Sequence, residues 1–386
     1  MKIGIIGAGH AGVEAARVAA AAGAEVTLFS NESVLPYFRP RLVALAFGQT
    51  APDSLGIKPA GWYSDNHIDL ILDAEVSALD AATRTVTVHG AKRTFDGLIL
   101  TTGSKPVQPP FVSTLRGSRV LPLWDMAHAL MIRDKLVKAG HCAVVGGGIL
   151  GIEAALRARE IGMSVTLIER VGRLMPSQFG ARASDVLRKQ LEDKGVEVRL
   201  ARSVTQAETT ESHVDIHLDD GSVLSAAFCL VSIGTRPYAG LASAGGIALR
   251  RGVMVDPTLK TSAPNLYAAG DVIEFEGVSR SSVREATAQG KLAGENVVAA
   301  LQGKEGTRFE PLLLPLTFKA GDFELCALGA PGGEGLEEQV LDVPVESAFR
   351  ALIRHQGALV GVQMVGTRAG LDDFARQVVR MNKPAP

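Results

Sequence analysis

The sequence predicts an α/β protein in which one strand–helix–strand unit occurs twice and a smaller αβ region closes the chain. Three observations carry this reading. A short apolar run with Ile3, Ile5 and Ile6 leads straight into Gly7-Ala8-Gly9-His10-Ala11-Gly12. An alanine-rich stretch of strong helix formers then covers residues 11–22, until Gly23 stops it and residues 26–29 begin the next strand. The same order returns later, with residues 143–145 as strand and Gly146-Gly147-Gly148-Ile149-Leu150-Gly151 at the same glycine spacing. Residues 152–160 then form a helix, Gly162 stops it, and residues 165–168 form the following strand.

Each glycine of the motif answers a separate steric demand. The first, Gly7 or Gly146, permits a tight turn; the second, Gly9 or Gly148, lets backbone N–H groups approach a pyrophosphate; the third, Gly12 or Gly151, lets helix and strand pack closely. His10 and Ala11, like Ile149 and Leu150, fill the positions between, where the helix N-terminus offers its positive end to phosphate. One such motif is weak evidence, but a repeat implies two Rossmann-like dinucleotide-binding domains. The acid at the second strand end distinguishes them. Glu169 lies eighteen residues past Gly151, close to the spacing at which an acid binds a ribose 2′-OH, which predicts NAD rather than NADP. A solvated strand-end carboxylate is the alternative. In the first copy the same offset falls on Ser30, so either Asn31 or Glu32 substitutes or the ribose is held differently.

The whole chain sets further bounds. Its 386 residues are 46% hydrophobic and 21% charged, with a formal net charge of −1, which gives no electrostatic case for nucleic acid or a membrane surface. No apolar run is long enough to span a bilayer and no signal peptide precedes the first strand, so a cytoplasmic protein is expected. The three cysteines, Cys142, Cys229 and Cys326, are far apart in sequence and form no dithiol motif. Cys142 and Cys229 sit in apolar strands and read as core. His213 and His217 alternate with Val214, Ile216 and Leu218, which favours a solvated strand face over a metal site.

Between the motifs, residues 33–42 form a proline-broken loop with two arginines and two aromatics. Period-two alternation at residues 84–89 and a strand at 97–100 follow, ending in Thr101-Thr102-Gly103-Ser104. Prolines at 106, 109 and 110 mark a linker into an inserted domain. That domain carries helices at 123–139 and 184–194, strands at 196–200, 214–218, 223–226 and 228–233, and a closing turn Gly234-Thr235-Arg236-Pro237. Residues 265–271 run from a strand into Gly270-Asp271, ahead of a helix at 282–301. Asp271 is placed to accept from a cofactor hydroxyl, with a helix cap or turn aspartate as the alternative. From residue 306 short strands at 323–328, 348–354 and 358–365 and a helix at 371–380 make the small C-terminal αβ domain.

The two glycine motifs, Thr102-Gly103, Gly234-x-x-Pro237 and Ala269-Gly270-Asp271, in this order, resemble the FAD-dependent pyridine nucleotide-disulfide oxidoreductase superfamily over residues 1–300. The resemblance implies an FAD domain at 1–110 and 241–305, split around an NAD(H) domain at 111–240, with Asp271 on the ribityl chain or pyrophosphate. It implies for residues 306–386 either a homodimer contact or a cover over one side of the flavin. Residues 36–42 with residues 147–153 look most like the bacterial NADH:rubredoxin reductases. Two departures stand out. Residues 9–22 and 39–48 hold no redox cysteine, and Val43, Ala44 and Leu45 occupy the place of a lysine that many relatives carry. Arg39 or Arg41 is the candidate replacement, with packing or solvation the alternative.

The implied activity is hydride transfer from NADH to FAD and then electron transfer to an acceptor. Glu153 resembles a family glutamate near the nicotinamide and flavin N5, which makes Glu153 and Arg41 the candidate catalytic residues; for Glu153 a first-turn glutamate complementing the helix dipole is the alternative. Without cysteines, the expected acceptor is a small one-electron iron protein such as rubredoxin, docking on Arg39, Arg41, Lys58, Lys105, Arg280 and Lys319 if these cluster. A peroxide-forming NADH oxidase and a non-catalytic FAD/NADH-binding redox sensor are the competing readings.

Overall fold

A computed structural model describes residues 1–113, 119–136, 140–279, 282–341 and 348–379. The chain divides into two compact units. The first comprises Met1–Pro40, Ala51–Lys105 and Thr235–Leu312, and the second comprises residues 41–50, 106–234 and the chain from Leu313 onward.

In the first unit a five-stranded parallel sheet runs in the order Leu266–Ala268, Gly97–Leu100, Lys2–Ile6, Glu25–Phe29, Ile68–Ile71. Its strands read as continuous apolar runs because both faces are covered, and Ile3, Ile5, Leu98 and Ile99 are fully buried. The helix His10–Ala21 packs on the nineteen-residue helix Val283–Leu301 at backbone distance. A Cβ placed on Gly290 would sit 2.2 Å from the Ala11 carbonyl oxygen, and one on Gly294 would sit 2.8 Å from that of Ala15. The alanine richness of the first helix therefore serves close helix approach as well as propensity. Asn296 fixes the far part of the long helix, donating to the carbonyls of Thr258 and Thr307 and accepting from the Thr307 N–H, each at 2.8 Å. The alternation read at 84–89 becomes Thr85–Val88, the middle strand of an antiparallel sheet with Val76–Asp80 and Ala91–Thr94.

In the second unit another five-stranded parallel sheet runs Val196–Leu200, Ser164–Glu169, His141–Val145, Phe228–Val231, Val120–Pro122. The helices Ile149–Glu160 and Ala181–Asp193 belong to it, with a three-stranded antiparallel sheet of Val204–Thr209, Val214–Leu218 and Val223–Ala226. The helix expected at 123–139 is Met126–Arg133, opened by Asp125, whose carboxylate accepts from the His128 N–H at 2.8 Å; residues 137–139 lie outside the described residues. Residues 33–42 do not stay a loop throughout. A 3-10 turn at Arg39–Arg41 leads into a helix at Leu42–Ala46, where Leu42, Val43, Leu45, Ala46 and Phe47 are all buried. Apolar residues on a short helix found a core in the second unit, which no local signal revealed.

The C-terminal part is a five-stranded antiparallel sheet in the order Leu316–Ala320, Phe323–Gly329, Ala358–Val365, Phe349–His355, Glu337–Leu341. Neither edge strand was expected: 337–341 is almost wholly exposed and carries no apolar stripe, whereas 316–320 alternates Leu316, Phe318 and Ala320 with Thr317 and Lys319 but follows a proline-rich stretch that masks the pattern. Fully buried Gln363 accepts from the Gly180 N–H at 2.9 Å and donates to the Pro331 carbonyl at 2.6 Å, tying this sheet to the start of helix Ala181–Asp193. The final helix is Leu371–Ala375, shorter than the expected 371–380, and residue 380 lies outside the described residues. Among the described residues no helix is long and apolar enough to cross a membrane.

Candidate functional site

Each unit carries one glycine loop, and the two loops obey the same steric logic. Gly7 and Gly146 adopt φ of +109° and +115°, a region that excludes side chains, and an added Cβ would meet the Thr101 or Ser232 carbonyl oxygen at 2.3 and 2.1 Å. A Cβ on Gly12 would lie 1.9 Å from the Gly7 oxygen, and one on Gly151 2.0 Å from the Gly146 oxygen. The protein's own backbone thus demands the first and third glycines. The middle ones differ: a Cβ on Gly9 or Gly148 meets nothing within 4 Å. Gly9 and Gly148 are also the N-caps of helices His10–Ala21 and Ile149–Glu160, with no side-chain cap hydrogen bond. Open space in front of uncapped helical N–H groups is the arrangement that receives phosphate oxygens, so the residues present fit a bound dinucleotide at each loop.

The strand end in the first unit replaces the expected acid with a local cluster. Ser30 is buried and its hydroxyl oxygen accepts from the Glu32 N–H at 3.2 Å, which commits it to its own turn. Asn31 is exposed. The Glu32 carboxylate accepts from the Tyr37 hydroxyl at 2.7 Å and pairs with the Arg39 guanidinium, which stacks 5.0 Å over the Tyr37 ring. His10 meets the edge of Phe38, ring centroids 5.1 Å apart, and its Nε2 is buried with no hydrogen-bond partner. Burial, with the Arg39 charge, pushes its pKa down to about 4, so the imidazole is neutral.

Further along the same unit, Thr102 donates to the Tyr238 carbonyl at 2.7 Å and the Tyr238 N–H donates to the Gly103 carbonyl at 2.8 Å. The buried Ser104 hydroxyl donates to Asp271 Oδ2 at 2.9 Å, and Gly270 N–H donates to buried Gln289 at 2.8 Å. Ser282, not Asp271, caps the helix Val283–Leu301, so the capping alternative for Asp271 falls away. Ser104 and Gln289 were missed by the sequence reading. Ser104 directly follows the noted Thr102-Gly103, so its adjacency was the available signal, whereas nothing local marked Gln289.

In the second unit the Glu169 carboxylate is not simply solvated. Its Oε2 accepts from the Gly147 N–H at 2.7 Å and its Oε1 from the Val171 N–H at 2.8 Å. Gly147 makes room for this, since a Cβ there would lie 3.1 Å from that of Glu169 and 2.7 Å from Leu174. Gly234 has φ +97° and its carbonyl accepts from the Val107 N–H at 2.9 Å. Arg41 donates to the Thr50 hydroxyl at 3.1 Å. Helix Ile149–Glu160 begins early enough that Glu153 stands beyond its first turn, which removes the helix-dipole alternative. Glu153 is half-buried and has no hydrogen-bond or ion-pair partner among the described residues. Burial pushes its carboxyl up to about 7, against the nearby Arg157 charge. The neighbouring Glu160 is occupied by Gln49 and Arg157 at 2.7 and 2.8 Å.

All three cysteines are buried, and burial holds Cys142 well above the usual thiol range, Cys229 up to about 12 and Cys326 up to about 11. His213 lies 3.4 Å from Asp215 and His217 3.7 Å from Glu208, and no group of three metal-ligating side chains forms among the described residues. Of the proposed docking cations, Arg39 is paired with Glu32, Lys58 lies 5.0 Å over the Trp62 ring and Lys105 3.5 Å over the Tyr238 ring. Arg280 lies outside the described residues.

A family model described as pyridine nucleotide-disulphide oxidoreductase matches residues 1–290. The rubredoxin-NAD(+) reductase of Pseudomonas putida is 34% identical over 279 residues, 70% of this chain and 71% of that protein. The ferredoxin–NAD(+) reductase component of the biphenyl dioxygenase system of Paraburkholderia xenovorans is 36% identical over 276 residues, 70% of this chain and 67% of its own. The crystal structure of the ferredoxin reductase for the CYP199A2 system of Rhodopseudomonas palustris superposes with a TM-score of 0.85 at 25% identity, covering 98% of this chain and 96% of that one. Two glycine loops of one design, buried and separated cysteines, and these matches lead to one assignment: the chain belongs to the pyridine nucleotide-disulphide oxidoreductase family, as an FAD- and NAD-dependent flavoprotein without a redox-active cysteine pair.

Proposed function

We propose that this flavoprotein takes electrons from NADH and hands them to a small iron protein of the rubredoxin type. The observation that carries the reading is the identity of 34% and 36% with a rubredoxin reductase and a ferredoxin reductase. The thiols agree with it, because all three are buried and none is poised as a thiolate for disulfide or peroxide chemistry. When bound, FAD supplies the conversion of a two-electron hydride into single electrons.

The chain's own residues bind and orient. Residues 1–110 and 241–305 form the FAD domain, 111–240 the NAD(H) domain, and 306–386 a third domain that covers the flavin or joins two copies. Gly7, Gly9, His10, Ala11 and Gly12 receive the FAD pyrophosphate with Thr102, Gly103 and Gly270, and Asp271 accepts from a cofactor hydroxyl. With the Ser30 hydroxyl already committed and Asn31 exposed, the adenosine ribose falls to Glu32, which Tyr37 and Arg39 hold in place. Gly146, Gly148, Ile149, Leu150 and Gly151, with Gly234 at the neighbouring strand end, receive NADH, and Glu169 takes its ribose. Glu153, neutral over much of the range below pH 7, orients the nicotinamide as a hydrogen-bond donor, and Arg41 supplies positive charge.

The test is anaerobic. The purified holoprotein is mixed with NADH or NADPH while flavin absorbance is followed, then with rubredoxin, ferredoxin or oxygen. Fast bleaching by NADH and rapid recovery with an iron protein is the expected result. Recovery only with oxygen would replace this reading with an NADH oxidase, and a flavin that stays oxidised would replace it with a sensor.

A further inference from the structure

Glu169 can take a ribose only if its carboxylate is held still, and the residues that hold it reach well beyond the glycine loop. Its Oε2 accepts from the Gly147 N–H at 2.7 Å and its Oε1 from the Val171 N–H at 2.8 Å, which leaves lone pairs on both oxygens for hydroxyl donors. Gly147 has no side chain to fix it. Its carbonyl accepts from the Met175 N–H at 2.9 Å, so hydrogen bonds hold the residue at both its N–H and its C=O. Met175 is buried with φ +46°, a left-handed conformation that a residue with a side chain keeps only where its surroundings impose it.

The imposing bonds run along residues 174–180. Buried Leu174 donates its N–H to the buried Ser184 hydroxyl at 2.7 Å, and the Met175 carbonyl accepts from the Gln178 and Phe179 N–H groups, both at 2.9 Å. Phe179 is fully buried, and the segment ends at Gly180, the N-cap of helix Ala181–Asp193. Here the C-terminal sheet takes hold. Gly180 N–H donates to Gln363 Oε1 at 2.9 Å, and Gln363 Nε2 donates to the Pro331 carbonyl at 2.6 Å, from the central strand Ala358–Val365 of that sheet. A fully buried amide bonded at both ends holds its partners in one arrangement.

Resting on the reading of Glu169 as the acceptor for the NADH ribose, we propose that Gln363 is a positioning residue for the coenzyme. Acting through residues 174–180 and Gly147, it keeps the Glu169 carboxylate in the orientation that takes the ribose hydroxyls. The C-terminal sheet thereby shares in coenzyme recognition, and a ribose bound at Glu169 tightens the sheet in return, because coupling between two sites is reciprocal. An amide that only tied two parts of the chain together would affect all coenzymes alike. One that aims Glu169 discriminates, since a carboxylate accepts from a 2′-hydroxyl and repels a 2′-phosphate.

The experiment uses the full-length holoprotein and ADP-ribose, which carries the adenosine ribose and pyrophosphate of NADH without the nicotinamide, with its 2′-phosphate form for comparison. Both are titrated calorimetrically into the wild type, Gln363→Met, Gln363→Glu and Glu169→Ala. Gln363→Met, similar in length but a poor acceptor and no donor, should weaken ADP-ribose about five-fold and leave the 2′-phosphate form within about two-fold. Gln363→Glu, whose buried carboxyl in its acid form makes both bonds, should regain most of the affinity. In the wild type, hydrogen exchange read by mass spectrometry should slow in residues 176–184 and 358–365 when ADP-ribose binds. Unchanged exchange in residues 358–365, an ADP-ribose affinity of Gln363→Met within about two-fold of wild type, or an equal loss for both ligands overturns the proposal. The exchange measurement needs no variant, so it decides even if Gln363→Met fails to fold. A ligand preference unchanged in Glu169→Ala removes the ribose role of Glu169 and this proposal with it, whereas a preference lost in Glu169→Ala but kept in Gln363→Met overturns this proposal alone.

Discussion

Replacing Glu153 with glutamine should stabilise the protein at alkaline pH and leave it unchanged in acid. The carboxyl is half-buried without a partner, and its pKa rises from 4.5 to about 7. A carboxyl whose folded-state pKa exceeds its unfolded value binds more protons in the native state between those two values. Its contribution is therefore full below pH 4.5 and is lost as pH rises through about 7. At about 1.36 kcal/mol per pH unit, the interval corresponds to a ceiling of about 3 kcal/mol. Solvent screening of a partly exposed side chain reduces this to roughly 1–2 kcal/mol. Glu153→Gln is isosteric and neutral at every pH, so its advantage over the wild type should be near zero at pH 5 and about 1–2 kcal/mol at pH 8.5. Urea unfolding of both proteins, read at the first midpoint because a chain of several domains need not unfold in one step, measures the difference. A wild-type-to-variant difference that is the same at both pH values refutes the buried, unpartnered carboxyl. If the neutral form orients the nicotinamide, flavin reduction by NADH should slow in the wild type as pH rises through 7 and stay level in the variant.

Three further outcomes follow from the geometry. Gly12→Ala places a methyl 1.9 Å from the Gly7 oxygen and should cost about 1–3 kcal/mol or more, whereas Gly9→Ala meets nothing; circular-dichroism melts of the flavin-free proteins should separate them, with both losing FAD affinity. Glu169→Ala leaves the Gly147 and Val171 N–H groups without their acceptor. It should weaken NADH about ten- to a hundred-fold while changing NADPH little, as isothermal titration would record; equal losses for both coenzymes would remove the ribose role. Alkylation at pH 8 should modify none of the three cysteines in the folded protein and all three after denaturation, as mass spectrometry would count.

The glycine loops were fully legible because their constraints are local. Gly7 needs its positive φ, and Gly12 needs to approach a carbonyl five residues earlier. The parallel strands were legible for a related reason: burial on both faces writes itself as continuous apolar runs. Legibility failed where partners are remote or rotamers decide. Ser30 against Glu32 could not be resolved, because the choice depends on where Tyr37 and Arg39 point. The edge strand 337–341, exposed along nearly its whole length, carries too little apolar pattern to announce itself.

By itself the sequence determined the α/β class, two glycine loops between strand and helix, the strand-end acid at Glu169 and the lack of a dithiol, since each is a matter of residue type at short spacing. Only the tertiary structure decided that Gly290 and Gly294 admit the backbone of Ala11 and Ala15, that residues 41–50 join the unit of 106–234, and that Ser104 holds Asp271. Those relations link positions far apart in the chain, and packing of distant surfaces depends on the whole set of side-chain shapes rather than on any local preference.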